Sequence, residues 1–318
     1  MKHKLHIEPR ISVVIPAFNR EKTIGRAIES ALAQTRPPFE IIVVDDGSSD
    51  STAAVVTAFR DSVRYVRQPN AGAAAARNRG VELAGAPWVA FLDSDDYWFD
   101  DHLERMAEAI VATGGAASFY FADTKTDDGT SWWELSGFPA PTDGHLFADA
   151  TDWMLLDVQP PLLQSSVFSR ERYRKAGGLW NALQTRHDTH LFFVMGIGSQ
   201  ACAVAGGGVR MTGDDRSGRR LTHEFGPTSR NYWVQTREMF ADVLNRFPLL
   251  ARNHRRRLKT GLAQAYLCLA KDDWREGRRT TALVNLLQAV HLAPWPITVS
   301  GGRKVWRLAF TRRRRDKV

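Results

Sequence analysis

The chain has 318 residues, of which 43% are hydrophobic and 25% charged, a composition that is typical of folded proteins and excludes a disordered chain. The formal net charge of +8 is unevenly distributed. Residues 252–318 contain 17 Lys and Arg against 4 Asp and Glu, a net charge of +13, which leaves residues 1–251 at −5. Because the larger part is mildly acidic, a nucleic-acid groove through it is disfavoured, and we expect no nucleic-acid partner.

The cysteine content and the hydropathy pattern indicate in which cellular compartment the protein resides. Two cysteines, Cys202 and Cys268, are too few for a disulfide framework or a cysteine-rich zinc site. The first ten residues are polar and lack the apolar core of a signal peptide. No stretch has the roughly 18 apolar residues that a membrane span needs. We expect a cytoplasmic protein that contacts a membrane only at its surface.

Short apolar runs alternate with helical patterns in the N-terminal third of the chain. Four strands are predicted, at 11–15, 41–44, 63–66 and 88–92. Helices are predicted between them, the first capped by Asn19 and the third over the alanine-rich segment 72–84. This alternation predicts a doubly wound, mostly parallel α/β sheet. Ligands of such sheets bind beyond the carboxyl ends of the strands.

The pattern is weaker in the middle of the chain. A further strand is predicted at 119–121 and a helix at 189–194, and the segment 124–149 is a polar excursion. Trp132 and Trp133 lie in this excursion. Their side chains could stack on a ligand, but we favour a place in the core or in an apolar surface loop.

The C-terminal part is predicted to be helical from Arg230 onward, with an antiparallel helix pair formed by apolar residues between Ala263 and Pro294. The sequence therefore predicts two domains. The first is an α/β domain over residues 1–225, and the second is a basic helical extension over residues 226–318.

Acidic side chains follow the fourth predicted strand directly, in Asp93-Ser94-Asp95-Asp96. Carboxylates on such a turn can hold a hard divalent ion with few protein ligands and leave positions open for phosphate oxygens. That ion would neutralise a diphosphate leaving group. Helix capping is the alternative, because Asp95 or Asp96 could cap a helix over 97–111 without any metal.

A second acidic turn, with Asp45 and Asp46, follows the second predicted strand. A carboxylate at a strand end can accept hydrogen bonds from a nucleoside, as in dinucleotide-binding folds. Capping by Asp46 or Ser48 is again the alternative. Two such turns on neighbouring strands favour a ligand site, because capping does not explain why both turns keep paired carboxylates.

The segment Gly72–Gly80 is not a phosphate-binding loop, because it lacks the Gly-Lys-Ser/Thr ending of a Walker motif. ATPase chemistry is therefore disfavoured. Arg77, within this segment, is either a contact to a base carbonyl or a phosphate, or an exposed helix arginine.

Taken together, these segments carry a family resemblance. Four of them occur in order: Ile11-Ser-Val-Val-Ile-Pro-Ala-Phe-Asn19, Val43-Val-Asp-Asp-Gly-Ser-Ser-Asp50, Asn70 to Gly80, and Phe91-Leu-Asp-Ser-Asp-Asp96. The chain resembles family 2 glycosyltransferases of the GT-A fold, of the kind that assembles bacterial polysaccharides. The match is good over residues 10–115 and reduces to scattered residues by about 215.

The resemblance implies a nucleotide-sugar donor, usually a UDP-sugar, an inverting single displacement, and Mn²⁺ or Mg²⁺ held by an Asp-x-Asp motif. It implies a nucleoside pocket lined by Pro16, Ala17, Asn19 and Asp46. Arg77 would contact the base, and Asp93 and Asp95 would contact ribose and metal, with Asp95 as the main metal ligand.

The family also has an acidic general base on a later helix, usually preceded by another acid. In Arg186-His-Asp-Thr-His-Leu-Phe-Phe193, Asp188 stands at the position of the base and His187 replaces the preceding acid. An inverting transfer needs a carboxylate to take the proton of the attacking hydroxyl. Asp188 could instead cap a helix that begins at Thr189.

Two further segments have a mobile or basic character. Asp214–Gly218 could form a lid over the diphosphate, with Arg216, Arg219 or His223 closing on it; a solvated loop is the alternative. The basic C-terminus, which contains Trp295, Trp306 and Arg312–Arg315, could bind an anionic membrane surface. A solvated tail is the alternative there.

The sequence therefore predicts a metal-dependent, inverting glycosyltransferase that extends a lipid-linked surface glycan or exopolysaccharide at the inner face of the cell membrane. A sugar-phosphate nucleotidyltransferase is a competing interpretation, but residues 14–19 lack the usual Gly-rich, basic signature of those enzymes. A degenerate transferase that acts as a scaffold is another, and the intact Asp93, Asp95 and Asp188 argue against it.

Overall fold

A computed structural model of the chain describes residues 8–156, 158–212 and 228–293. The proposed lid at 214–218 and the basic, Trp-containing C-terminus lie outside the described residues. The chain divides into two compact units, one ending at Glu224 and the other beginning at Phe225.

The first unit alternates strands and helices as predicted. Its first half contains β1 (Ile11–Ala17), α1 (Ile24–Leu32), β2 (Glu40–Asp45), α2 (Thr52–Thr57), β3 (Arg64–Arg67), α3 (Ala73–Leu83), β4 (Trp88–Phe91), β5 (Tyr97–Trp98) and α4 (His102–Ala112). Its second half contains β6 (Phe119–Phe121), β7 (Thr124–Lys125), α5 (Trp132–Ser136), β8 (His145–Phe147), α6 (Thr151–Met154), a 3₁₀ turn (Leu163–Ser165), β9 (Ser166–Ser169), α7 (Arg170–Lys175), α8 (His187–Gly196), β10 (Ala201–Ala203) and β11 (Val209–Arg210).

Eight strands form the central sheet, in the order β3-β2-β1-β4-β9-β6-β10-β8. The strands β3, β2, β1 and β4 are mutually parallel. The strand β9 pairs antiparallel with both β4 and β6, so β4 and β6 run in the same direction. The five predicted strands and the mostly parallel α/β architecture are thereby confirmed.

The core lies on both faces of β1, every residue of which is buried. One face carries Val13 and Ile15, which belong to a cluster with residues of α1 and α4. On the other face α3 approaches β1 so closely that a Cβ on Gly80 would lie 2.2 Å from Val14 Cγ1. Only glycine allows this distance, because real Cβ contacts are ordinary at about 3.4–4 Å.

An aromatic cluster fills the second half of the unit. It contains Phe119, Phe121, Trp133, Phe138, Phe147 and Trp153, with ring centroids 5.1–6.3 Å apart. The Trp133 ring therefore lies in the core, as we favoured. Trp132 is half-buried, and its indole N–H donates to the Gln159 carbonyl oxygen at 2.9 Å.

One predicted helix cap is wrong, and so is one capping alternative. Asn19 does not cap α1, which begins at Ile24; it has a φ of 54°, and its side-chain Oδ1 accepts the Ser49 N–H instead. The helix that the capping alternative placed over 97–111 begins only at His102, so neither Asp95 nor Asp96 caps it. Residues 97–98 instead form β5, which pairs with β11 in a separate three-stranded sheet.

The second unit is helical over its described residues, as predicted, with α9 (Arg230–Arg246), α10 (Arg252–Arg275) and α11 (Arg279–Leu292). In the predicted helix pair, Ala263 of α10 packs with Ala289 of α11 and Ala293 beyond its end.

A fully buried carboxylate, Asp273, connects these three helices. It accepts from Arg230 Nη2 at 2.8 Å, from Arg278 Nε at 2.7 Å and from Asn285 Nδ2 at 2.8 Å. Buried charges need such partners, because desolvation costs several kcal/mol per ion. None of the described helices is both long and apolar enough to cross a membrane.

The contact of α3 with β1 gives a stability prediction. Gly80→Ala should lower the free energy of unfolding by about 1–3 kcal/mol, because the new methyl group overpacks against Val14. Gly25→Ala in α1 is the matched control, since its Cβ would meet Val55 at an ordinary 3.7 Å and helix propensity favours alanine. Urea denaturation measures both. Equal stability of the two variants would contradict the close approach.

Candidate active site

The candidate site lies at one edge of the central sheet. The strands β2, β1 and β4 are parallel neighbours, so their carboxyl ends meet at the same edge. The polar turns that follow them are residues 45–50, 18–20 and 93–96. The topology therefore brings together the three turns that the sequence singled out.

In the first of these turns, Asp46 binds the loop that leads into α3. One carboxylate oxygen accepts from Gln68 Nε2 at 2.7 Å and from the Ala71 N–H at 2.9 Å, and the other accepts from the Gly72 N–H at 2.8 Å. The side chain is 3% exposed. Neither Asp46 nor Ser48 caps α2, whose N-cap residue is Ser51, so the capping alternative is wrong. Asp46 positions the loop and keeps some capacity to accept a further hydrogen bond.

The neighbouring Asp45 is a buried structural group that the sequence did not distinguish from Asp46. It accepts from the Ser48 N–H at 2.8 Å and from the Tyr65 hydroxyl at 2.5 Å. Burial and the adjacent carboxylate raise the pKa of Tyr65 to about 12, so this hydroxyl remains a donor at any physiological pH. Asp45 thus holds the turn in shape while Asp46 holds the next loop.

The residues at the end of β1 differ in their burial and in their contacts. Pro16 and Ala17 are buried in the sheet, paired with Val44 and Asp45 of β2. Asn19 lies beyond them, where its N–H donates to Ser48 Oγ at 2.9 Å. Asn19 therefore joins the turn after β1 to the turn after β2.

Arg77 of α3 is buried, at 7% exposure, so the alternative of an exposed helix arginine is wrong. Its Nη2 donates to Asp93 Oδ1 at 2.5 Å, and its Nη1 lies 3.3 Å from His187 Nε2. Its buried Nε has no hydrogen-bond partner among the described residues. An unpaired donor on a buried cation is costly, which favours a ligand acceptor at this point.

His187 connects this pair to α8. Its Nδ1 lies 3.1 Å from the Leu183 carbonyl oxygen and its Nε2 faces Arg77. Burial lowers the pKa of His187; the Asp188 carboxylate opposes that shift, and the Arg77 cation adds to it. The sequence identified His187 only as a departure from the family pattern. Its partner is 110 residues away, so nothing local in the sequence indicated the contact.

The turn after β4 also contacts residues from elsewhere in the unit. Arg20 Nη2 lies 3.8 Å from Asp95 Oδ2, and the Asp95 main-chain oxygen accepts from Arg26 Nη2 at 3.3 Å and from the Thr212 hydroxyl. The Thr212 N–H donates to Asp96 Oδ1 at 3.1 Å. Sequence reasoning did not identify Arg20, Arg26 or Thr212 as neighbours of this turn.

The donor set of this turn fits a hard divalent ion. Asp93 and Asp95 supply carboxylate oxygens and are partly exposed, at 26% and 19% of their side chains. Each carboxylate also has a cation beside it, Arg77 at Asp93 and Arg20 at Asp95. No group of three or more His, Cys, Asp or Glu side chains with metal-binding geometry occurs among the described residues. Mg²⁺ and Mn²⁺ commonly bind to one or two carboxylates, with water and phosphate oxygens as the other ligands.

Asp188 lies in the first turn of α8, next to His187. Its Oδ1 accepts from the Thr189 N–H at 2.7 Å and from the Thr189 hydroxyl at 3.3 Å. The helix begins at His187, one residue before Asp188, so Asp188 is not the N-cap residue. Among the described residues no donor bonds its second oxygen, Oδ2, which leaves that atom available to a substrate.

Similar proteins match over a part of the chain. The succinoglycan biosynthesis protein ExoO of Rhizobium meliloti is 43% identical over 125 residues, which is 39% of this chain and 36% of ExoO. The putative teichuronic acid biosynthesis glycosyltransferase TuaG of Bacillus subtilis is 38% identical over 128 residues, 39% of this chain and 50% of TuaG. The aligned stretch thus spans about a third to a half of these relatives.

Solved structures share the fold over most of the chain. Staphylococcus aureus TarS, residues 1–349, has a TM-score of 0.62 at 19% identity and covers 90% of this chain and 81% of its own. It has also been solved with UDP-GlcNAc. The mannosyltransferase PcManGT of Pyrobaculum calidifontis, solved with GDP-Man and Mn²⁺, has a TM-score of 0.55 at 18% identity and covers 96% of this chain and 82% of its own. These similarities show the GT-A fold.

The model of one protein family, described as Glycosyl transferase family 2, matches residues 12–178, which is more than half of the chain. The matched range includes the three strand-end turns and Arg77. With the sheet topology and the strand-end carboxylates described above, the match shows that the chain belongs to glycosyl transferase family 2.

Proposed function

We propose that the protein is an inverting glycosyltransferase that transfers a sugar from a nucleotide-diphosphate donor, a UDP-sugar, to a growing bacterial surface glycan. One observation supports this most strongly. Arg77 contacts Asp93 of the donor turn and His187, the neighbour of Asp188 on α8. One buried cation thereby contacts both a carboxylate of the donor turn and the residue next to the candidate base.

The donor would bind at the carboxyl edge of β2, β1 and β4. Asp46, Asn19 and the strand end formed by Pro16 and Ala17 would surround the nucleoside. Arg77 has an unpaired Nε for a base carbonyl or phosphate oxygen. These assignments extend the family resemblance to this chain residue by residue.

A divalent ion, Mn²⁺ or Mg²⁺, would be held by Asp95 with help from Asp93. When bound it would neutralise the negative charge of the departing diphosphate. The PcManGT structure, which contains Mn²⁺, supports metal use in this fold.

Asp188 would act as the general base through Oδ2. As the acceptor oxygen bonds to the anomeric carbon, its proton passes to Asp188 and the bond from that carbon to the diphosphate oxygen breaks. The diphosphate leaves with the electron pair of the broken bond. Attack on the face opposite the leaving group inverts the anomeric configuration.

The acceptor would be a lipid-linked glycan at the inner face of the cell membrane. The names of ExoO and TuaG, which refer to succinoglycan and teichuronic acid biosynthesis, support a surface glycan. The second unit supports the membrane. Residues 228–293 contain 12 Lys and Arg against 5 Asp and Glu.

An uncharged face of α11 is also exposed in the second unit. It consists of Leu283, Val284, Leu287 and Val290, and Leu287 is the most exposed of them at 69%. The opposite face, with Ala282, Asn285 and Ala289, is buried. An apolar helix face beside basic residues is typical of proteins that bind anionic lipid surfaces. The basic residues 303–318 would add to this attraction.

Two substitutions should separate donor binding from chemistry. With Mn²⁺ present, Asp188→Asn should slow UDP release from UDP-sugars about 100-fold or more, because the base is lost, yet change UDP affinity less than about threefold. Asp95→Asn should weaken Mn²⁺-dependent UDP binding about tenfold or more. Enzymatic detection of UDP and titration calorimetry measure the two effects.

Three outcomes would contradict this function. Release of pyrophosphate from UTP and a sugar phosphate would indicate a nucleotidyltransferase. The absence of both UDP binding and UDP release would indicate a non-catalytic scaffold. Full activity of Asp188→Asn would show that another group is the base.

Membrane binding is tested on the apolar face of α11. The wild-type protein should float with vesicles of phosphatidylcholine and phosphatidylglycerol, and less with phosphatidylcholine alone. The double variant Leu283→Ser/Leu287→Ser should bind the anionic vesicles at least about 100-fold less, because each leucine that the membrane buries contributes about 1.5–3 kcal/mol. UDP binding should be unchanged.

Leu135→Ser is the matched control, because Leu135 is an exposed leucine of the first unit. Equal flotation of the double variant and the control would show that α11 does not face the membrane. A double variant that becomes monomeric from a wild-type dimer would assign the face to a second copy instead.

A further inference from the structure

His187 faces two groups with opposite hydrogen-bonding requirements. The Leu183 carbonyl oxygen, 3.1 Å from Nδ1, can only accept, and the Arg77 guanidinium, 3.3 Å from Nε2, can only donate. Both contacts are satisfied by a single form of the ring, with the proton on Nδ1 and the lone pair on Nε2. That form is neutral, whereas a protonated ring would place a second cation against Arg77.

A neutral His187 also determines the net charge of the group formed by Arg77, Asp93 and His187. Among the described residues, Arg77 has one anionic partner in direct contact, Asp93, at 2.5 Å. Because the His187 imidazole on the other side is neutral, the positive charge of Arg77 is balanced by the negative charge of Asp93 alone. An acid at position 187, which the family resemblance leads one to expect, would add a negative charge beside the place where the donor diphosphate is proposed to bind.

We infer that His187 is a positioning residue: its Nε2 holds the Arg77 guanidinium against Asp93 and so fixes the donor-binding turn relative to the start of α8, where Asp188 lies. This inference rests on the proposed function for its effect on the donor. The contact itself does not depend on that function. His187 touches no reacting atom in this scheme and acts only through Arg77.

A merely structural role is the competing explanation. His187 is 7% exposed, so its ring could simply fill space in the core. The two roles differ in what replaces the ring. A glutamine is neutral, and its amide oxygen can accept from Arg77 while its amide nitrogen donates to Leu183. A leucine has a similar volume but no acceptor.

The test compares His187→Gln with His187→Leu. Leucine should weaken UDP binding in the presence of Mn²⁺ by roughly tenfold and raise the donor KM accordingly, because Arg77 loses an acceptor. Glutamine should restore both to within about threefold of wild type. Both variants should remain folded at the assay temperature, with leucine the less stable of the two because it leaves a buried donor without an acceptor. The inference would be overturned if His187→Leu bound UDP as tightly as the wild type, or if both variants bound UDP equally weakly.

A measurement without ligand keeps the inference separate from the proposed function. Two-dimensional ¹⁵N–¹H NMR of the histidine rings in the wild-type protein should show His187 as the neutral tautomer with its proton on Nδ1. A proton on Nε2 would overturn the inference whether or not the protein binds UDP. If the tautomer is as expected but UDP does not bind, the proposed donor is wrong and the inference about the His187 contact stands.

Discussion

A guanidinium inside a protein must meet anions or acceptors, because removing its water costs several kcal/mol. Arg77 is such a group, and it meets Asp93 on one side and His187 on the other. These partners come from the turn after β4 and from the start of α8. The contacts of one cation therefore join α3, this turn and the start of α8. The turn after β4 and the residue next to Asp188 therefore meet at the same cation.

The packing of α3 explains how Arg77 reaches this position. Gly80, three residues further along α3, lets the helix approach β1 more closely than a side chain would allow. At the other end, Asp46 accepts the Ala71 and Gly72 N–H groups just before the helix begins. The close packing at Gly80 fixes the distance of α3 from β1, and the Asp46 carboxylate fixes where α3 begins. Together they determine the position of Arg77. Sheet packing and ligand chemistry are thus linked through one helix.

The sequence predicted the features that depend on local patterns. Strand positions follow from apolar runs, and the meeting of the acidic turns at one edge follows from parallel strands. The wrong predictions concern residues whose partners are distant. Asn19 bonds a turn 30 residues away instead of capping α1, and residues 97–98 pair with Val209–Arg210 instead of starting a helix. The burial of Arg77 and its contact with His187 also depend on tertiary packing, which no local spacing encodes.

Arg77 is a buried cation, and we propose that its contacts keep it in place to bind the donor nucleotide. Titration calorimetry of Arg77→Met with UDP and Mn²⁺ tests it most directly, because methionine keeps much of the volume and removes the charge. UDP affinity should fall about tenfold or more, the loss of a hydrogen bond from a charged group. The thermal midpoint should change little, because Asp93 is partly exposed and can be solvated. UDP affinity equal to that of the wild type would contradict the account.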